Sequence, residues 1–187
     1  LEEGNVATAE SLLVARPLMN ANALRHHVSR IAGAMLERAS ERWLDETDTS
    51  VEKFSRMVDG ELLGDLRRHD ATAHLADRLA TRNLYKRAVW AEIDAVPDHA
   101  IDVDHAETRE LEAAVAQKAA IDPEYVLLDV PSRPHMPESS TRVVVNGDVR
   151  RLHEQSALVQ GLQAASRMQW RLGAYAPEEH AEAVRDA

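Results

Sequence analysis

Cysteine is absent from these 187 residues. That excludes a disulfide framework and any zinc site built on thiolates, and it suits a reducing compartment, so a cytoplasmic location is expected. Long apolar runs are missing too. The longest, such as Leu12-Leu13-Val14-Ala15, are far too short to span a bilayer. The first residues, Leu1-Glu2-Glu3-Gly4, have no starting Met and no basic leader. The expectation is a fragment or processed product rather than a secreted precursor. Lysine is scarce as well: of 22 basic residues only Lys53, Lys86 and Lys118 are lysines. Against them stand 32 acidic residues, for a formal charge of −10. An acidic surface with arginine in place of lysine suits solubility in high salt. It also repels nucleic acid, because no stripe of Lys or Arg is there to meet phosphates. A small anion held by a few buried arginines is still compatible with that balance.

What is present supports a folded core: 44% of residues are hydrophobic. From Ala7 to Trp43 apolar residues recur at helical spacing, with Pro17 expected to kink the element or begin a new one. Thr49 and Glu52 have capping-box spacing for a second helix. Asp59 and Asp70 are the expected caps of a third and a fourth. From Leu84 the texture changes. Tyr85 to Ile93 reads as a strand, Thr108 to Ala120 as a helix, and Tyr125 to Val130 as a buried strand. A proline-rich loop covers residues 131–140. Asn146-Gly147 joins two short strands in a hairpin. A helix over Glu154 to Ser166, a strand over Trp170 to Tyr175 and a terminal helix opened by Pro177 complete the chain. The expected fold class is α+β: a helical lobe over 1–83, then a small ferredoxin-like βαββαβ lobe over 84–187.

Four clusters carry candidate chemistry. His69-Asp70 has the residue types of a hydrolytic metal centre, which would need a further His, such as His26 or His27, and a further Asp, such as Asp129. The pair lies in a polar junction between helices, where an acidic residue caps, and that reading is preferred. Arg25 to Arg30 packs cations and two histidines into an apolar helix. Adjacent histidines diverge by about 100° there, so they do not easily share an ion, and core-edge or interface packing is the simpler role. Arg16, among leucines, either snorkels to water or forks onto a polyphosphate. Arg82, Lys86 and Arg87 make a positive spot, either a solvated helix end or an anion site at a lobe boundary.

In series these segments resemble a known family. Glu10-Ser11-Leu12-Leu13-Val14-Ala15-Arg16 and His26-His27-Val28-Ser29-Arg30-Ile31-Ala32 resemble the helix that follows the catalytic core in HD-domain phosphohydrolases, the dNTP triphosphohydrolases and their prokaryotic cousins. Phe54-Ser55-Arg56-Met57-Val58-Asp59, Arg82-Asn83-Leu84-Tyr85-Lys86 and Val126-Leu127-Leu128-Asp129-Val130-Pro131 follow in the family's order. The resemblance implies a C-terminal portion of a metal-dependent nucleotide phosphohydrolase. Arg16 would meet the substrate triphosphate. His26, His27, Val28, Arg82 and Lys86 would meet a regulatory nucleotide at the interface of a homo-oligomer. No cofactor or metal is expected within this chain. The divalent metal (Mg, Mn, Fe or Zn) would sit in an upstream HD core, ahead of Leu1, so that the chain alone would be inactive. Asn20 and Leu24 depart from the histidine and tyrosine of active members, which weakens the case for the same substrate. The alternative is a non-catalytic, nucleotide-responsive regulatory or oligomerisation module.

Overall fold

The structure is a computed structural model that describes residues 5–19, 26–133, 140–145 and 147–187, with the side chains at 6, 7, 9, 16–18 and 163 outside that description. Asn20 and Leu24 therefore lie outside the described residues. The class is α+β. The described chain divides into two compact units woven from separate segments: 1–26, 90–109 and 130–173 in the first, and 27–89, 110–129 and 174–187 in the second. Among the described residues no helix is long and apolar enough to cross a membrane.

In the first unit, helix α1 spans Val6–Met19 and includes Pro17 within one element. Further along the sequence, strands β3 (Arg142–Val145) and β4 (Asp148–Arg151) form the expected hairpin. They pair antiparallel, Val144 opposite Val149 and Val145 opposite Asp148. Its turn needs Gly147, whose φ of +85° lies in the left-handed region that a β-carbon disfavours. One helical turn, α7 (Leu152–Gln155), leads into α8 (Ala157–Met168). The Ser156 hydroxyl caps α8 by accepting from the Val159 N–H at 3.1 Å. Leu13 of α1 packs with Val143, Leu152 and Val159 in one apolar cluster. A second cluster joins Ile93, Ile101 and Trp170, whose indole N–H donates to the Pro131 carbonyl at 3.0 Å.

In the second unit, α2 (His27–Glu46) is the long helix. It buries Ile31, Met35, Ala39 and Trp43, spaced four residues apart on one face. It packs against α5 (Asp70–Ala80), which in turn packs against α4 (Asp59–Arg68). A single turn, α3 (Val51–Phe54), is capped by Ser50 rather than Thr49, and Phe54 meets Trp43 with ring centroids 6.5 Å apart. The expected caps at Asp59 and Asp70 each shift by one residue. Both carboxylates are the first helical residue, Val58 and His69 hold the cap positions, and neither makes a side-chain cap bond. An acidic residue inside the first turn still meets the positive end of the helix dipole.

Strands β1 (Lys86–Glu92) and β2 (Leu127–Asp129), with β5 (Arg171–Ala176), make a three-stranded sheet in the order β1-β5-β2. Helices α6 (His105–Ala119) and α9 (Ala181–Asp186) supply Ala116, Ala181 and Val184 to a core of small side chains with Ala88, Val126, Ala174 and Ala176. Among the described residues the hairpin is a separate two-stranded sheet, so the described strands do not make the single sheet of a ferredoxin-like lobe. The last helix is preceded by a 3₁₀ turn over Glu178–His180, with Pro177 at the cap of that turn instead of the helix's first position.

Candidate functional site

Helix α2 carries Arg30, Arg38 and Arg42 at multiples of four residues, which lines them along one stripe. Each meets a carboxylate from a distant segment of the second unit. Arg30 Nε donates to Asp129 Oδ2 at 2.6 Å, and its Nη2 donates to the Asp129 carbonyl at 3.2 Å. Arg38 Nη2 donates to Glu112 Oε2. Arg42 Nη1 donates to Glu124 Oε2 at 3.2 Å. Arg38 is 6% exposed and Glu112 only 2%, so this is a buried ion pair. The other Glu112 oxygen accepts the Leu128 N–H at 2.8 Å, which ties α6 to β2. Asp129 Oδ2 also accepts the Tyr175 hydroxyl at 2.9 Å. Burial, followed by the charge of Asp129, pushes the Tyr175 phenol well above its ordinary range, so it stays a donor. These pairs fix α2 to β2, to α6 and to the turn before β2; the acids stand 74 to 99 residues from their arginines, which hides them from local pattern reading.

A second polar cluster of the same unit surrounds Tyr85, which is 2% exposed. Its N–H donates to Met35 Sδ at 3.4 Å, and the Arg78 guanidinium lies over its ring, 5.5 Å from the centroid. Its hydroxyl is buried with no hydrogen-bond partner among the described residues, and the same holds for His74 Nε2. Burial pushes the Tyr85 phenol up to about 12 and the His74 imidazole down from its ordinary 6.5. Arg42, Arg78 and Glu124 act electrostatically on both groups. Arg78 reaches Glu179 only at 4.0 Å. Tyr125 stacks on His180, centroids 5.0 Å apart. Sequence reading had no signal for Tyr85 as a site beyond its place in the Arg82–Lys86 landmark.

The residues singled out by sequence are spread over both units. Arg16 is on α1, with its side chain outside the described atoms, and His26 is exposed just before α2. His27 and Val28 open α2, half-buried and exposed respectively. Arg82 is exposed on the connection from α5 to β1, and Lys86, the first residue of β1, is exposed as well. Arg82 takes a left-handed φ of 57° where α5 ends. Lys86 Nζ lies 3.7 Å from Glu178, so its charge is partly met within the chain. A hydrolytic metal centre at His69, Asp70 and Asp129 does not fit the structure. His69 and Asp70 belong to no cluster of three or more potential ligand atoms among the described residues. His69 Nε2 instead faces Glu46 at 4.0 Å. The Asp129 carboxylate is taken by a guanidinium, which occupies the place a cation would need.

Residues 1–187 match the family described as HD associated region, and the chain belongs to that family. This links it to HD-domain proteins. An uncharacterized protein of Methanocaldococcus jannaschii is 28% identical over 185 residues, covering 97% of this chain and 40% of the relative. A hypothetical protein from Aquifex aeolicus, known from a crystal structure, is similar with a TM-score of 0.68 and 19% identity over 100% of this chain and 46% of its own. That likeness shows the fold. The chain spans less than half the length of either relative.

Proposed function

We propose that this chain is the HD-associated, C-terminal portion of a metal-dependent phosphohydrolase acting on nucleotides, dNTPs among them. The family match over all of residues 1–187 is the observation that carries this reading. The catalytic divalent metal, Mg, Mn, Fe or Zn, would be held by a His, His-Asp and Asp series elsewhere in the full protein, where it would activate water for attack on phosphorus. Arg16 would meet the substrate triphosphate. His26, His27, Val28, Arg82 and Lys86 would meet a regulatory nucleotide in a cytoplasmic homo-oligomer. The chain alone is then expected to release no triphosphate from dNTPs with Mg²⁺ or Mn²⁺, whereas the full protein does. Turnover by the chain alone, abolished by Asp70→Ala, overturns this reading.

The second reading is a non-catalytic module that responds to nucleotide by changing its assembly. The bonds of Asp129 Oδ2 to Arg30 and Tyr175 give that acid a structural role, which the module reading needs and the first reading also allows. A nucleotide-dependent change in mass by light scattering, lost in Arg82→Ala, supports the module. No response to any nucleotide counts against both regulatory assignments.

A further inference from the structure

We propose that Tyr85, His74 and Arg78 form a binding site for a small oxyanion, either free phosphate or the phosphoryl group of a larger molecule. The proposal rests on different side chains from the Arg82 and Lys86 assignment and stands independently of it. His74 and Arg78 stand one turn apart on α5, and the Arg78 guanidinium lies over the Tyr85 ring. The Tyr85 hydroxyl and His74 Nε2 are both buried without a hydrogen-bond partner among the described residues. Leaving such atoms unpaired is costly, so a ligand that pairs both is strongly favoured. The chemistry of the set selects that ligand. A buried phenol donates. A neutral imidazole donates from Nε2 in the tautomer that the anion selects. Arg78 donates only and carries a full positive charge. Three donors, one of them a cation, call for an acceptor-rich anion rather than for a cation or an amide.

The opposing charges are accounted for. Glu124 is engaged by Arg42 at 3.2 Å. Glu179 is largely exposed and sits 4.0 Å from Arg78, at the limit of an ion pair. An oxyanion that accepts from Arg78 replaces that loose contact with a close one. Arg78 stays over the Tyr85 ring throughout, held by attraction to its face.

The test uses the full chain with inorganic phosphate, sulfate, acetate and a nucleoside monophosphate, read by calorimetry and by the ¹⁵N resonances of the His74 imidazole. Phosphate and sulfate are expected to bind and to shift His74 Nε2. Tyr85→Phe removes one donor and is expected to weaken binding about tenfold. Arg78→Gln removes the charge and is expected to abolish it at millimolar phosphate. His74→Gln, which keeps a donor, is expected to bind more weakly than wild type but measurably. A nucleoside monophosphate that binds more tightly than phosphate identifies the phosphoryl group of a larger molecule; equal or weaker binding identifies the free anion. Absence of any His74 shift with phosphate overturns the proposal. So does a response kept in Tyr85→Phe but lost in Lys86→Ala, which assigns the anion to the other cluster.

Discussion

Glu112→Ala tests the reading of the Arg38–Glu112 pair most directly. The carboxylate is 2% exposed and accepts from both the Arg38 guanidinium and the Leu128 N–H. Removing it leaves a buried cation without its partner and a strand amide without its acceptor. Breaking a buried pair from one side costs about 3–5 kcal/mol. An amide left unpaired costs about 1–3 kcal/mol, part of which is the same loss counted again. Glu41 Oε2, 3.8 Å from Arg38 Nε, can recover a fraction by moving closer. A net loss of about 3–5 kcal/mol is therefore expected, a large share of the roughly 5–15 kcal/mol that holds a domain folded. Urea denaturation followed by tryptophan fluorescence measures it, and hydrogen exchange at the Leu128 amide reports the local opening. The double variant Arg38→Met/Glu112→Leu is expected to recover more than half of the loss, because it removes both charges and fills the space. A loss below about 1 kcal/mol in Glu112→Ala rules out a buried pair of this strength, since the pair would then behave as a solvated surface contact.

Three further outcomes follow from the same structure. Burial holds the His74 imidazole below its ordinary pKa of 6.5, so the unfolded chain takes up a proton that the folded chain resists. Stability is then lost as pH falls below 6.5, down to the folded pKa, and His74→Gln should lose less between pH 7.5 and 5 than wild type in parallel urea titrations. Tyr175→Phe removes the bond to Asp129 Oδ2 and should cost about 1–1.5 kcal/mol, with a non-additive coupling to Arg30→Ala in a double-mutant cycle. Arg82 holds a φ of 57°, so Arg82→Gly should stabilise the fold by up to about 1 kcal/mol, seen as a higher melting temperature.

The hairpin, the helical first third and the strand after Leu84 could be read from sequence because their signals are local. Asn-Gly dictates a turn, and periodicity dictates a buried face. Helix caps slipped by one residue at Asp59 and Asp70, because an acidic side chain is favourable both at the cap and just inside it. The ferredoxin-like expectation came from counting elements in order. Element order does not determine which strands share hydrogen bonds, and here the hairpin keeps to itself while β5 sits between β1 and β2.

The acidic charge, the absence of thiol chemistry, most helix and strand types and a link to HD-domain proteins were legible in the residues themselves. Packing alone brings each carboxylate to its arginine, buries the Tyr85 hydroxyl and lays the Arg78 guanidinium over its ring. The physical reason is range. A turn or a cap is settled within a few residues, whereas Arg30 and Asp129 are 99 positions apart and find each other only when helix, strand and core pack together.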